Sequence, residues 1–376
     1  MKKVRVLHCL ETIGSGGVEQ RRLSLIKGLD ATQYEQRVVC TQAIRGLPSE
    51  FERAGCRITQ VGVFRSITDR APYRAALEVV RSYQPDIIHG AVYEGVALAA
   101  VAGRLGKVPI IIGEETSDPR NRSWKGDLLY WALASLCHHM VGVSSSATGY
   151  LLQTIKLPRR KVTLIENGVS QKLRASETTV KALRKKFDLP IGGLVIGTVS
   201  RLIDDPKRVS DLIRAMSMVV SEHPEAWLLV VGAGPDEGAL KALANDLGLS
   251  DHVRFVGYQA DPQPFYQVMD VFALASAHEG FGLVLVEAMF AELPVIATRV
   301  GGIPNIVQES ETGYLVEPFQ PVNLANFILR LADDPTLRHS MGLKGRARAL
   351  AQFSAERYVG DVDALYQRLL AERRVI

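Results

Sequence analysis

The sequence predicts an α/β protein built from two doubly wound parallel-sheet domains. Three observations carry this prediction. The chain has 376 residues, more than one compact core of ordinary size holds. Short β-rich runs alternate with segments of helical apolar spacing, the grammar of a parallel sheet with helices on both faces. The alternation loosens after Asn167-Gly168, passes through a polar helix that ends at Pro190, and then starts again.

The first half reads strand VRVLHCL, helix GVEQRRLSLIKGL, strand QRVVCT, a helix around Pro48–Ala54 and strand CRITQV. A helix over Tyr73–Tyr83 leads into PDIIHG, then VALAAVAGRLG, VPIIIG, HHMVGVS and KVTLIENGV. The second half reads GLVIGTVS, a helix over Val209–Ser221, AWLLVVGAG, a helix over Glu237–Leu247, HVRFVGY, DVFALAS, PVIAT and TGYLVEP. Ser354–Arg374 is amphipathic, with Tyr358, Val362, Leu365, Tyr366 and Leu369 on one face. The expected organisation is an N-terminal domain over 1–170, a second over 171–353, and a terminal helix over 354–376 that returns to the first. Ligands are expected outside the carboxyl ends of the strands in each half.

Composition narrows the class. Hydrophobic content is 47% and charged content 23%, values of ordinary globular proteins. Cys9, Cys40, Cys56 and Cys137 have no CxxC spacing, which fits a reducing compartment, so a cytoplasmic protein is expected. The start MKKVRVLHCLETIG carries Arg5 inside a short apolar run and is read as a first strand rather than a signal peptide. LLYWALASLCHHMVGV is interrupted by His138 and His139 and is read as a buried helix running into a strand rather than a membrane span, although the aromatic run WKGDLLYWALASL, with the basic first half, also suits a lipid-linked acceptor at a membrane face. Residues 1–170 hold 23 Lys and Arg against 15 Asp and Glu, whereas the remainder holds 22 against 25. The basic half suits an anionic partner such as a membrane surface. No interleaved aromatic and basic stripe points to nucleic acid.

Four motifs carry chemistry. TIGSGGVEQ places Gly14, Gly16 and Gly17 between a strand and a helix start, an anion site in principle. Glu19 stands where a dinucleotide fingerprint needs its third glycine. VSRLIDDPKRV puts Arg201 and Lys207 in one loop at a strand end, where a fork and a point charge can clamp a diphosphate. VVGAGPDEGAL is a second glycine turn, for which an ordinary strand-to-helix turn is the simpler reading. In HEGFGLVLVEAMFAELPVIAT, Glu279 lies in a turn and Glu287 inside the following helix. The amides of Phe281, Gly282 and Leu283 are helix N-terminal donors for phosphate, and carboxylates accept from sugar hydroxyls. Together they fit a polyhydroxylated phosphate ester.

The set Arg201, Lys207, Glu279-Gly280-Phe281-Gly282 and Glu287, followed by VGGIPNIV and TGYLVEP, closely resembles the retaining glycosyltransferase family 4 with the GT-B fold. Its signature is Glu-x7-Glu in the C-terminal domain. The resemblance covers nearly the whole chain and implies two Rossmann-like domains facing a central cleft. It implies that Arg201 and Lys207 hold the donor diphosphate and that Glu287 accepts from the ribose. Glu279 would touch the transferred sugar, with the amides from Gly280 to Leu283 around sugar and phosphates. Arg254, Phe255 and Val256 match the strip whose backbone reads the base, and Gly16 and Gly17 would face the diphosphate. Catalysis would rest on Glu279, Arg201 and Lys207.

His89 matches a strand-end histidine of relatives, for which a histidine satisfied by backbone is the simpler reading, and the second histidine that many carry two positions on is Ala91 here. Its task falls to a neighbour such as Tyr93, Glu94 or Glu115, or is absent. His89, Glu115, Asp118 and Arg120 are the candidate acceptor residues. The resemblance implies retention, and a front-face route fits a chain with no clearly placed carboxylate nucleophile. No metal or cofactor is expected: Asp361-Val362-Asp363 sits on the terminal helix and reads as a solvated face. The expected partners are a UDP- or GDP-linked sugar, a glycan or lipid-linked acceptor, and an anionic membrane surface at the periphery. A same-fold nucleotide-sugar epimerase and a non-catalytic sugar-nucleotide binder are the alternatives.

Overall fold

The computed structural model describes residues 2–374 apart from Ser15, Arg45, residues 118–121 and Ile191. The chain divides into two units, Met1–Ser170 with Ser354–Ile376, and Gln171–Phe353. The acceptor candidates Asp118 and Arg120 lie outside the described residues.

The first unit holds strands β1 (Val4–Ile13), β2 (Tyr34–Ala43), β3 (Arg57–Gln60), β4 (Ile87–Ala91), β5 (Ile110–Glu115), β6 (His139–Gly142) and β7 (Val162–Leu164). All are parallel, in the order β3-β2-β1-β4-β5-β6-β7. The central strands are nearly continuous apolar runs because helices cover both faces. The strand order reverses between β1 and β4, where His8 pairs His89, so the ligand edge opens after those two strands. Asp69 and Ser123 accept from the amides of Ala71 and Gly126 and so start the helices Arg70–Tyr83 and Trp124–Leu136. The terminal helix Ala355–Arg374 buries Tyr358, Val362, Leu365 and Tyr366 in one cluster with Val6, Leu25 and Ile87.

The second unit holds β8 (Val195–Val199), β9 (Trp227–Val231), β10 (Val253–Gly257), β11 (Val271–Leu274), β12 (Val295–Thr298) and β13 (Gly313–Val316). Its order is β10-β9-β8-β11-β12-β13, again parallel throughout, with the reversal between β8 and β11.

One element departs from its sequence reading. The helix Trp124–Leu136 buries only Tyr130, Leu133 and Ala134, whereas Trp124, Leu128 and Trp131 are exposed. Its outward face is as apolar as its inward one, so composition alone reads as burial on both sides.

The first unit also buries a charged cluster. Glu114 on β5 pairs with Arg21 and with Arg22, at 3.3 Å for the latter, all three out of solvent. Arg22 also reaches His89 Nδ1 at 3.1 Å, and the Tyr366 hydroxyl contacts the same nitrogen at 2.7 Å. His89 is fully buried; its Nδ1 is met from the helix Gly17–Gly28 and from the terminal helix, while its Nε2 lies 3.4 Å from Glu114 Oε2 and makes no hydrogen bond among the described residues. Of the acceptor candidates, His89 is thus enclosed by Arg22 and Tyr366. Burial by itself would raise the Glu114 carboxyl, but Arg21 and Arg22 outweigh it and hold the group far below the usual carboxylate range.

Glu114→Gln leaves two buried guanidiniums without a counter-charge. It is expected to destabilise the chain by about 3 to 5 kcal/mol in denaturant unfolding; an unchanged midpoint would contradict a charged core. Burial, then the charges of Arg22 and Arg368 respectively, lowers His89 and His139 from 6.5 to about 4. Each stays neutral when folded and takes a proton on unfolding, so stability falls as pH drops from 6.5 toward 4. Glu11, raised by burial, pulls the other way. The expected result is a lower melting midpoint at pH 5 than at pH 7, and a flat or rising profile toward acid would contradict it.

Candidate functional site

In the second unit, the chain leaves β8 into the loop that carries Arg201 and Lys207. The glycine turn after β9 locks this loop from behind. Ser200 donates to the Val231 carbonyl and Leu202 to that of Ala233, both at 3.0 Å. A Cβ at Gly232 or Gly234 would strike the Ser200 or Leu202 carbonyl. The VVGAG glycines are therefore a backbone-packing requirement. The short helix Asp204–Lys207 is pinned in turn by the Asp204 amide on Asp236 Oδ2 at 2.7 Å.

The same loop meets the stretch after β11. Ala277 donates to the Pro206 carbonyl at 2.9 Å, which brings Lys207 Nζ to 2.6 Å from Glu279 Oε2. Both side chains are about one-sixth exposed, 17% and 16%, so they reach solvent yet are held by protein. Arg201 is exposed, and no hydrogen bond or ion pair engages its guanidinium among the described residues. Gly302 donates to the Glu279 carbonyl at 3.3 Å. Gly301, at φ 52°, leaves room for that carbonyl where a Cβ would collide. The VGG turn is thus the floor under Glu279.

Gly282, at φ 105°, opens the helix Leu283–Phe290, and no side chain caps it. Its first amides face the same edge as Lys207 and Glu279 and are free to meet an anion. Ser200 Oγ and Ser276 Oγ are buried with no partner among the described residues. They stand at the ends of the neighbouring strands β8 and β11. Orphaned buried hydroxyls at a strand edge are a place for a bound polar group.

Glu287 sits one helical turn inside and accepts from the Tyr266 hydroxyl at 2.6 Å. Burial raises its carboxyl above the ordinary value; Tyr266 and then Lys172 oppose the rise. Both acids thus have protein partners, Lys207 for Glu279 and Tyr266 for Glu287. Tyr266 is the residue that sequence reading missed, and YQVMD carries no spacing that would single it out.

The strip Arg254-Phe255-Val256 is split along β10. Arg254 stacks on the Trp227 ring at 4.4 Å and donates to the Ser250 carbonyl at 3.0 Å. Both partners belong to the amino ends of the strands, so the Arg254 side chain lies away from the ligand edge. Phe255 packs on the core beneath Lys241. Val256 and Gly257 come last in the strand and present their backbone at the carboxyl end, where Gly232 donates to the Gly257 carbonyl at 3.0 Å.

In the first unit, Gly16 and Gly17 open the helix Gly17–Gly28 without a side-chain cap. The Glu19 carboxylate lies against Gly16, where a Cβ would collide with it. Burial, then Glu94 and Glu19, raises the Glu11 carboxyl, so three carboxylates gather at the switch point after β1 and β4. An anion reaching Gly16 meets a carboxylate first, whereas hydroxyl groups find acceptors there. Val92, next to the missing histidine position at Ala91, holds φ 65°, a strained value for a β-branched residue. Glu115 accepts from the amide and hydroxyl of Ser117 at 3.0 and 2.8 Å and faces Arg122 at 3.7 Å. Arg122 lies over the rings of Tyr93, Tyr130 and Tyr150.

Among the described residues, no group of three or more His, Cys, Asp or Glu side chains could hold a metal ion. Asp361 pairs with Arg357 at 2.7 Å, and Asp363 accepts from the Tyr34 hydroxyl.

Tyr266→Phe removes the one hydrogen bond that the Glu287 carboxylate accepts among the described residues. The expected cost is about 1 to 3 kcal/mol of stability in denaturant unfolding, and no change would show that water or another group already satisfies Glu287.

Residues 179–348 match the model for glycosyl transferases group 1, and residues 16–168 match the glycosyl transferase 4-like domain. The chain is 30% identical over 233 residues to N-acetyl-alpha-D-glucosaminyl L-malate synthase of Bacillus anthracis, covering 62% of this chain and 60% of that protein. It is 29% identical over 238 residues to the capsular polysaccharide biosynthesis glycosyltransferase CapM of Staphylococcus aureus, covering 62% of each. The matched span is thus about three fifths of these relatives. The crystal structure of Anabaena Alr3699/HepE in complex with UDP superposes with a TM-score of 0.85 at 21% identity, over 98% of this chain and 100% of that one. WaaG, a glycosyltransferase involved in lipopolysaccharide biosynthesis, does so at 0.75 and 17%, over 96% and 99%. At such identities the likeness shows the fold, and the two domain models between them take in most of the sequence. The chain belongs to the group 1, family 4-like glycosyltransferases with the GT-B fold.

Proposed function

We propose that this chain is a retaining glycosyltransferase that moves a hexosyl group from a UDP- or GDP-linked sugar to a glycan or lipid-linked acceptor, in surface polysaccharide or glycolipid assembly. One observation carries the reading. A cation pair, an uncapped helix start and two carboxylates converge on the carboxyl edge where β8 and β11 part. These are the complements of a diphosphate, its sugar and its ribose. Relatives support the class: one is an N-acetyl-alpha-D-glucosaminyl L-malate synthase, another a capsular polysaccharide biosynthesis glycosyltransferase. A structural neighbour was solved with UDP-glucose.

In this reading the donor exchanges partners within the site. Its diphosphate draws Lys207 from Glu279 and gathers Arg201, so Glu279 is freed to accept from the sugar. Glu287 swaps the Tyr266 hydroxyl for the ribose or shares it. The leaving diphosphate is stabilised by Arg201, Lys207 and the amides at Gly282 and Leu283, all in place before reaction. As the glycosidic bond breaks, a donor phosphate oxygen takes the acceptor proton and the acceptor oxygen attacks from the same face. We assign the charge neutralisation to these cations rather than to a metal. On the acceptor side, Glu11, Glu19 and Glu94 suit hydroxyl groups. Four cysteines, all free and buried, suit a reducing, cytoplasmic setting.

The Arg201→Ala, Lys207→Ala double variant is expected to lose at least about a hundredfold in donor hydrolysis or transfer, with an unchanged circular dichroism spectrum. Proton NMR of the released sugar should show the donor's anomeric configuration first. Full turnover in the double variant would remove the diphosphate clamp, and the opposite anomer would remove retention.

A further inference from the structure

The helix Trp124–Leu136 presents an outward face that no described element covers. Trp124 is 71% exposed, Leu128 57% and Trp131 47%, with Leu129 and Leu136 beside them. Of 16 exposed large apolar side chains among the described residues, 5 fall in this one helix of 13 residues. That is a patch and not surface scatter. The face carries no acid: Asp127, the only acidic residue of the helix, turns back to accept from the Tyr150 hydroxyl at 2.7 Å.

Cations ring the patch. Lys125 lies 5.6 Å from the Trp124 ring centroid. At the other end, Arg104 donates to the Leu136 carbonyl at 2.6 Å and Lys161 to that of Ser135 at 2.8 Å. Leu105, 63% exposed, adjoins Arg104, and the exposed Arg159 and Arg160 precede Lys161. Two of the three tryptophans of the chain thus stand on one face between basic groups.

We propose that this face docks on an anionic lipid bilayer. The helix lies in the plane of the interface, with Trp124, Leu128 and Trp131 among the headgroups and upper acyl chains. Lys125, Arg159, Arg160 and Lys161 meet the lipid phosphates. Tryptophan and basic side chains are the residues that such an interface selects. A helix of 13 residues is about 20 Å long, short of the ~30 Å hydrocarbon core, so it lies on the membrane rather than across it. None of the described helices is long and apolar enough to span. The charge excess of residues 1–170, 23 basic against 15 acidic, favours an anionic surface over a second copy of the same basic face. Trp124 follows the connection off the carboxyl end of β5, so docking brings the ligand edge of this unit beside the lipid. The proposal gives the lipid-linked acceptor of the preceding reading a place to stand, but the surface does not depend on donor chemistry.

The test is flotation of the full chain with vesicles of phosphatidylcholine alone or of equal parts phosphatidylcholine and phosphatidylglycerol, at low and high salt. The chain should float with the anionic vesicles, less so at high salt, and show a blue shift of tryptophan emission. Trp124→Ser with Trp131→Ser should cut partitioning about tenfold or more, and Arg159→Gln with Arg160→Gln about tenfold. All four positions are at the surface, so the far-ultraviolet spectrum and melting midpoint should hold. Absence of the wild-type chain from the floating fraction overturns the proposal, as does equal flotation of the tryptophan variant or equal binding to neutral vesicles. A dimer in solution that the tryptophan change dissolves, with no flotation, assigns the face to a second copy instead. Donor hydrolysis is read separately, so either claim can fail alone.

Discussion

The carboxyl edge of the second unit depends on one ion pair, Lys207 with Glu279. Each charge is mostly withdrawn from water, and each alone would cost several kcal/mol, about the penalty of an uncompensated buried ion. Together they balance, because backbone bonds fix both ends. The Pro206 carbonyl holds Ala277, and Gly301 and Gly302 close under the Glu279 carbonyl. The pair keeps a cation and a carboxylate poised at the switch point, where, in the proposed reading, a diphosphate and a hydroxyl each take over one partner. Pre-organisation of this kind removes reorganisation cost from the bound state.

The first unit uses the same chemistry to a different end. Arg21, Arg22, Glu114 and His89 are sealed from solvent and tied to the terminal helix through Tyr366. A charge cluster with no path to a ligand fixes structure, whereas one with a solvent-facing side can exchange partners. Exposure, not residue type, separates His89 and Glu114 from Glu279 and Lys207. The carboxylates that do face the edge of this unit, Glu11 and Glu94, come from elements far apart in sequence.

The alternation of strands and helices was legible because each strand is a short apolar run bounded by turn residues, and the parallel order follows from the helical crossovers between them. The Glu279 and Glu287 spacing was legible because it spans one turn and one helix start. Their partners were not, since Lys207 and Tyr266 arrive through tertiary contact across 72 and 21 residues. The surroundings of His89 were not legible because a strand-end position says nothing of what packs over it; here Tyr366, 277 residues away, closes the space. The side-chain direction of Arg254 was not legible, because the motif concerns the backbone of the strip and Trp227 and Ser250 draw the guanidinium toward the amino ends of the strands. The helix Trp124–Leu136 read as buried because apolar content cannot tell a core face from an interface.

The central claim is that the edge between β8 and β11 binds a nucleoside diphosphate sugar through fixed protein charges. Calorimetric titration of the full chain with UDP, GDP and UDP-glucose, each with and without a metal chelator, tests it most directly. The account predicts saturable binding of one nucleotide class, unchanged by chelator and abolished by excess inorganic salt only where the diphosphate contacts are screened. No heat from any of them, or binding that vanishes on chelation, would contradict it.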